Sequence, residues 1–196
     1  MIRQFKPALI LFALLSLLTG VVYPLVVTGI AQAVFPVQAN GSLIENNGTL
    51  LGSRLIGQNF TGPQFFWGRP SATTGSPYNA FNPTSLTGSS GSNLGPLSIT
   101  LVETIQQRVE ILRAADPGNM LLIPVDLVTA SASGLDPHIS VAAAIYQVPR
   151  VARARGMNEE EVQALVTRYT ENRLFGFLGE ARVNVLLLNL ALDGIK

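Results

Sequence analysis

The sequence predicts an α+β protein, with one N-terminal transmembrane helix followed by a single extracytoplasmic domain of mixed α/β structure that is helix-rich toward its C-terminus. Three observations support this fold class. An apolar run without charges lies near the N-terminus, a stretch rich in Gly, Ser, Thr, Asn and Pro occupies the middle, and helical periodicity dominates the remainder. We therefore expect a cytoplasmic N-terminus over residues 1–7, the helix over 8–28 and the domain over 29–196.

The predicted membrane anchor is the segment from Ala8 to Thr28, which holds no charged residue. As an α-helix it is about 31 Å long at 1.5 Å per residue, close to the thickness of the hydrocarbon core of a bilayer. Arg3 and Lys6 precede it, and no basic residue follows until Arg54. Because basic residues concentrate on the cytoplasmic side of a membrane, we expect the N-terminus in the cytoplasm and the domain outside.

Two further features of the anchor bear on function. Ser16 and Gly20 are four residues apart, a spacing of small residues that permits close packing of membrane helices, so both are candidate partner contacts. The sequence Ala31-Gln32-Ala33 has the form of a signal-peptidase site, but the apolar run exceeds the roughly 7 to 15 residues of a signal peptide. A retained anchor is the favoured interpretation, and a cleaved periplasmic binding or adhesion module is the alternative.

The stretch from Ser71 to Ser98 is polar and uncharged, a composition typical of a flexible linker. The chain there and just upstream also holds the aromatic residues Phe60, Phe65, Phe66, Trp67, Tyr78 and Phe81. Aromatic side chains bury roughly 150–250 Å² each, so we expect an ordered, loop-rich segment instead of a linker. Such a segment suits burial against a partner, and its candidate interface residues are Trp67 and Arg69.

Periodicity and capping residues predict the elements that follow residue 98. The expected elements are a helix from Ser98 to Asp116, extended segments Met120–Ile123 and Val125–Val128, a helix that begins at Asp136 or Ser140 and ends near Gly156, a helix with a capping box of Asn158 and Glu161, and a central buried element over Val183–Leu192, for which a helix is favoured over a strand. Asn184 and Asn189 lie in that apolar segment, so both are expected to have buried partners.

Composition excludes most routes to an autonomous enzyme. There is no cysteine, His138 is the only histidine, and the only lysines are Lys6 and Lys196. Thiolate sites, zinc sites built on two histidines of this chain, a Walker A lysine and an internal Schiff base are therefore excluded. A membrane-tethered hydrolase would need Ser92 or His138, but the Gly91–Gly95 motif has asparagine where a nucleophile elbow has serine. With 13 basic and 12 acidic residues, the chain also carries no charge pattern for nucleic acid.

Charged residues of the second half offer weaker candidates. Arg150, Arg153 and Arg155 precede a glycine, and the negative end of a helix dipole accounts for them without a partner. Docking to an acidic partner is the functional alternative, because arginine is enriched at interfaces. Four carboxylates match no cation-binding spacing, so capping and surface roles are expected for Asp126, Asp136, Glu180 and Asp193. For His138 we expect a local role at a helix start.

Several segments, in this order, resemble one family, the C subunit of the Kdp potassium-transporting P-type ATPase. They are Gly57-Gln58, Phe65–Ala72, Gly91–Pro96, Asp126–Ser131, Gly134–Ser140, Gln147 with Arg150–Ala152 and Ala154–Gly156, Gly179-Glu180 with Arg182–Val185, and Leu188–Asp193. The resemblance covers nearly the whole chain, including the position of the anchor.

The resemblance implies a non-catalytic accessory subunit of a high-affinity, ATP-driven potassium uptake complex in the bacterial plasma (inner) membrane. Its implied partners are a catalytic P-type ATPase subunit, a channel-like potassium-conducting subunit and the lipid bilayer. Its implied role is in assembly and in raising the apparent ATP affinity of the catalytic subunit, as a catalytic chaperone. ATP is cytoplasmic and the domain is expected outside, so we expect coupling through the complex and no cofactor of the chain's own. Were ATP contacted directly, Gln147 and Arg150 are the matched polar positions to test first.

Overall fold

The N-terminal part of the molecule is one continuous helical run in this computed structural model, which describes residues 2–195. It consists of α1 (Ile2–Leu17), a π-helical turn (Leu18–Val22) and α2 (Tyr23–Val34). Pro24 has no N–H to donate, and the N–H of Tyr23 bonds to the carbonyl of Leu18 five residues back, so the helix widens there. The run extends beyond 8–28 at both ends, and Arg3–Val34 is long and apolar enough to cross a membrane by length and composition.

Three small antiparallel sheets follow the short helix α3 (Pro36–Ala39). The first is a hairpin of β1 (Leu43–Asn46) and β2 (Thr49–Ser53), and the second pairs β3 (Phe81–Asn82) with β4 (Thr87–Gly88). The third has the order β5-β7-β6, from β5 (His138–Ser140), β6 (Thr170–Glu171) and β7 (Arg182–Asn184). Val183 is the central residue of this sheet, because it lies opposite Ile139 on one side and Thr170 on the other.

Four helices complete the domain: α4 (Ile99–Ala115), α5 (Val141–Arg155), α6 (Glu159–Arg168) and α7 (Val185–Leu192). Helix α5 lies at the centre, since eight of its residues are buried, and it packs against α6. The core around it contains Phe66, Trp67, Leu112, Leu127, Ile139, Val151, Val162, Val166, Val183 and Leu188. The mixed α/β architecture predicted from the sequence is therefore confirmed.

The helices expected after residue 98 are confirmed. Of the two starts considered for α5, the structure has Ser140, whose Oγ accepts the N–H of Ala143, and the helix ends at Gly156 with φ +64°. The capping box of α6 is present as predicted. The apolar segment at the C-terminus forms α7, although its first residues belong to β7.

Two predictions for the second half are wrong. Neither Met120–Ile123 nor Val125–Val128 forms a strand. Val125–Leu127 is a 3₁₀-helical turn, because the N–H groups of residues 128 and 129 both bond to the carbonyl of Val125. Asp136 caps no helix, and His138 lies in β5 instead of at a helix start. The carboxylate of Asp136 accepts the N–H of His138 at 3.0 Å, which stabilises the turn into the strand.

The polar stretch between Ser71 and Ser98 is ordered by bonds to the loop before β5. Ser71 Oγ donates to the carbonyl of Gly134 at 2.6 Å, and the N–H of Ser90 donates to the carbonyl of Ser133 at 2.9 Å. Upstream, Phe66 is fully buried, whereas Phe81 within the stretch is 60% exposed. The expected loop-rich, ordered segment is confirmed, but the side chain of Phe81 takes no part in the hydrophobic core.

Candidate functional site

Two carboxamide side chains bind the backbone of the dipeptide Phe66-Trp67 inside the domain. Gln147 Oε1 accepts the N–H of Trp67 at 2.8 Å, and Gln147 Nε2 donates to the carbonyl of Trp67 at 3.1 Å. Asn189 binds Phe66 in the same way, at 2.8 and 3.0 Å. Gln147 and Asn189 are each 1% exposed. Side chains from α5 and α7 therefore satisfy the buried N–H and carbonyl groups of both Phe66 and Trp67.

Arg150 stacks on the indole of Trp67. Its guanidinium carbon lies 4.2 Å from the ring centroid, and its nitrogens donate to the carbonyl of Pro63 at 2.6 Å and to Gln147 Oε1 at 2.7 Å. Arg108 lies 5.5 Å from the same ring. Burial lowers the pKa of Arg150 to about 10, although the charge of Asp116 acts in the opposite direction. A cation–π contact and two neutral acceptors thus hold this charge in the interior.

The positions proposed for ATP contact, Gln147 and Arg150, are therefore interior residues. Arg150 is 4% exposed, and both amide atoms of Gln147 and both terminal nitrogens of Arg150 bond to the chain itself. A nucleotide would have to displace the Phe66-Trp67 backbone to reach them. The geometry supports a role for both residues in folding.

The other two arginines of α5 lie against different parts of the domain. Arg153 Nη1 pairs with Asp116 at 2.9 Å, and that carboxylate is 3% exposed. Arg155 donates to the carbonyls of Gln64 at 2.6 Å and Leu192 at 3.1 Å. Arg150, Arg153 and Arg155 consequently connect α5 to the end of α4, to residues 63–64 and to the end of α7, and they do not form one basic patch.

Arg69 belongs to a row of ionisable side chains along the three-stranded sheet. It pairs with Asp136 at 3.3 Å and donates to the carbonyl of Ala130 at 3.2 Å. His138 lies between two carboxylates, with Nδ1 3.5 Å from Asp136 and Nε2 3.6 Å from Glu171. Burial alone would raise the pKa of Asp136, but the hydrogen bonds from His138 and the charge of Arg69 outweigh it and lower the pKa.

A cleft of about 490 Å³ opens beside this row of side chains. Its lining includes Arg69, Asp126, Asp136, His138 and Ser140. Asp126 accepts both the N–H and the Oγ–H of Ser140, whose hydroxyl oxygen caps α5. Both carboxylates thus have partners in the fold, whereas Nε of Arg69 and Nε2 of His138 are buried without a hydrogen bond in the part of the chain that the structure describes. Within residues 2–195 no group of three or more His, Asp or Glu side chains is arranged to hold a metal ion.

Ser16 and Gly20 lie in the N-terminal helical run, away from the domain core. Ser16 is in α1, Gly20 is in the π-helical turn, and both are exposed. No atom lies within 4 Å of a Cβ built on Gly20, so the surface beside it is open. The structure leaves this surface available for a second helix.

The buried and half-buried polar side chains that bond to the backbone of the domain form an interior network. Three of its residues were not singled out in the sequence. Arg108 of α4 donates to the carbonyl of Leu127 at 3.1 Å, Asn119 donates to the carbonyl of Tyr146 at 2.8 Å, and Tyr78 donates to the carbonyl of Arg69 at 2.6 Å. Arg108 lies next to Val109 on the apolar face of its helix, and that position was the one available signal in the sequence. The bonds of the loop residues depend on tertiary structure alone.

The fold and this network define a class of protein: a chain with one long apolar N-terminal helix and a small α+β domain whose buried polar groups hold its own backbone. The family model KdpC, described as K+-transporting ATPase, c chain, matches residues 5–194. The chain belongs to the KdpC family.

Similar proteins align over nearly their full length. The chain is 63% identical over 188 residues to the potassium-transporting ATPase KdpC subunit of Variovorax paradoxus, covering 96% of this chain and 94% of that one. It is 62% identical over 191 residues to the protein of the same name from Polaromonas naphthalenivorans, covering 97% and 94%. The KdpC subunit of Methylococcus capsulatus is 59% identical over 196 residues, covering the whole of both chains.

Proposed function

We propose that the chain is the non-catalytic KdpC subunit of a potassium-transporting ATPase, anchored in the plasma membrane by its N-terminal helix with the domain outside. The observation that carries the proposal is the family match over residues 5–194, together with relatives of that name at about 60% identity. The apolar run Arg3–Val34 supports the anchor, and the basic residues before it support a cytoplasmic N-terminus.

In this proposal the subunit acts through assembly and raises the apparent ATP affinity of the catalytic subunit from a distance. Two observations support an indirect effect. Gln147 and Arg150 are interior residues, and the sequence holds no glycine-rich loop that ends in a lysine. Coupling through subunit contacts needs only that the complex binds this domain differently in two of its states.

The experiment compares the potassium-stimulated ATPase activity of membranes that contain the other subunits with and without this chain, across a range of ATP concentrations. We expect loss of the complex on purification without the chain, and a lower ATP concentration at half-maximal activity when it is present. A variant shortened to residues 36–196 tests the anchor, and we expect it to restore neither property. Unchanged recovery and unchanged ATP dependence in the absence of the chain would contradict the proposal.

A further inference from the structure

The loop between β6 and β7 places an apolar surface in solvent. Residues 174–178, named here the apolar tip, have the sequence Leu-Phe-Gly-Phe-Leu. Leu174 is 62%, Phe175 79%, Phe177 71% and Leu178 48% exposed. Contiguous exposed apolar side chains of this kind mark contact with a membrane or another molecule.

The backbone of the apolar tip is already satisfied within the loop. Leu174 and Leu178 exchange two hydrogen bonds of 2.9 Å, and the N–H groups of Gly176 and Phe177 donate to carbonyls three residues back. The side chains of Arg173 and Glu180 pair at 2.6 Å where the loop narrows. A segment can enter an apolar medium only if its backbone polar groups are paired, and four of the five N–H groups here meet that condition.

The base of the loop lies beside the end of the N-terminal helical run. Glu171, the last residue of β6, and Arg182, the first of β7, line one cavity together with Val37 and Gln38. Those two residues follow α2 almost directly, and Phe35 and Val37 are themselves 56% and 60% exposed. The base of the loop and the segment just after the anchor therefore line the same cavity.

The length of the loop sets an upper limit on its reach. Gly176 is five residues from Glu171, so the two residues are no more than about 17 Å apart, the value for a fully extended chain. The interfacial zone on each side of the hydrocarbon core is about 5 to 8 Å thick. Lipid fits the tip better than protein does, because no polar side chain lies between Arg173 and Glu180, whereas protein interfaces carry about one hydrogen bond per 100–200 Å².

We propose that the apolar tip is a second membrane contact, which inserts Phe175 and Phe177 into the lipid interface beside the anchor and fixes the tilt of the domain. This inference rests on the proposed membrane anchor. Phe175 has φ +54°, a conformation that bulky residues adopt rarely, and the hydrogen bonds of the turn hold it there. The two phenylalanines are thus presented by a preformed turn.

The test uses the full chain, which has no cysteine, so one introduced cysteine gives a single label. The variants Phe175→Cys, Phe177→Cys, Leu14→Cys and Leu86→Cys each carry an environment-sensitive fluorophore and are reconstituted into phosphatidylcholine vesicles that hold a lipid-attached quencher. Leu14 reports on the anchor. Leu86 is the matched control, because it is 79% exposed like Phe175 and lies in the turn between β3 and β4. Circular dichroism identifies any variant that fails to fold, and labels at two positions of the tip give independent readings.

We expect the lipid quencher to reduce emission at Leu14, Phe175 and Phe177 and to leave Leu86 unchanged. If the quencher reduces emission at Leu14 but at neither tip position, the proposal is overturned and the proposed anchor still stands. If the other subunits then shield the tip labels from aqueous iodide, the occupant is protein. Equal quenching at Leu86 also overturns it, because the whole domain would then lie on the lipid. An unquenched label at Leu14 contradicts the anchor itself.

Discussion

Asn189 and Gln147 bind the consecutive residues Phe66 and Trp67. Each amide bonds to both the N–H and the carbonyl of its residue, as a neighbouring β-strand would. A carboxamide presents an acceptor oxygen and a donor nitrogen on the same carbon atom, so it can bind both the N–H and the carbonyl of one residue. Loss of either partner leaves a buried N–H or carbonyl of Phe66 or Trp67 without a bond, which costs about 1–3 kcal/mol for each group.

Asn189→Asp tests this requirement with almost no change in shape. The carboxylate has no donor for the carbonyl of Phe66 and places a charge in the interior, so we expect the free energy of unfolding to fall by about 2–4 kcal/mol at neutral pH. Burial should raise the pKa of the introduced carboxyl group, and protonation restores a donor, so the loss should shrink as the pH is lowered.

Denaturant unfolding of the full chain in detergent micelles gives the measurement, with the fluorescence of Trp67, the only tryptophan, as the probe. The control is Asn172→Asp at an exposed position of the β6–β7 loop, which should change the free energy of unfolding by less than about 0.5 kcal/mol. A loss at Asn189 that matches the control would show that the two bonds to Phe66 contribute nothing.

Asp136 gives a prediction for acid conditions. Burial acts to raise its pKa, but His138 and Arg69 outweigh burial and bring the pKa in the folded chain below its ordinary value of 3.8. A carboxyl group of this kind stabilises the fold above the unfolded pKa, and the contribution is lost as the pH falls through the folded value. We expect Asp136→Asn to be less stable at neutral pH and to lose less stability on acidification, measured by thermal unfolding across pH. The exposed Glu110→Gln serves as the control, and parallel curves for Asp136→Asn and the unchanged chain would contradict the assignment.

The sequence could predict that Asn184 and Asn189 need buried partners, but it could not predict which ones. Asn189 and Phe66 are 123 positions apart, and Gln147 and Trp67 are 80 apart. Side-chain type and periodicity indicate whether a residue is buried. They do not indicate which distant element packs against it, and that packing determines these pairs. The same limit explains why Gln147 could be singled out only through the resemblance to a family, and why Arg150 was grouped with Arg153 and Arg155 instead of with its buried partners.

At the scale of elements, the helices were predicted correctly and the strands were not. Helices α4 and α6 repeat an apolar stripe over several turns and carry capping residues, so their signal accumulates along the chain. Strands β5, β6 and β7 contain two or three residues each, and β5 pairs with β7 across α5 and α6. Such strands are too short to show an alternation of apolar and polar residues, which is why the three-stranded sheet was missed.

The surface of the anchor around Ser16 and Gly20, at the π-helical turn, can be tested for contact with another subunit. Ser16→Leu combined with Gly20→Leu fills the open space beside Gly20, where the chain itself offers no clash. We expect the double variant to insert into membranes normally but to co-purify less with the other subunits, because bulky residues keep a neighbouring helix at a distance. Leu14→Ala, on a different side of the helix, is the control and should co-purify normally. Full recovery of the complex with the double variant would indicate that this surface faces lipid.

At the scale of the whole molecule, polar side chains of α5 and α7 join distant parts of the chain. Residues 63–67 are hydrogen-bonded to both helices at once, and α5 in turn packs against α6. For a domain held together in this way and tethered by one helix, we expect an effect on partners through coupling within the complex, and no chemistry in the domain itself.

The orientation of the chain is the last prediction, and it rests on Arg3, Lys6 and the absence of basic residues between Lys6 and Arg54. Because the chain has no cysteine, Ser89→Cys and Gln4→Cys each carry a single thiol, and both positions are exposed. In intact cells an impermeant maleimide should label the first variant and not the second, and both should react once the membrane is permeabilised. Labelling of Gln4→Cys alone in intact cells would reverse the topology. It would also place the domain on the side of the membrane where ATP is hydrolysed, so that direct contact with the catalytic subunit's nucleotide region would again have to be considered.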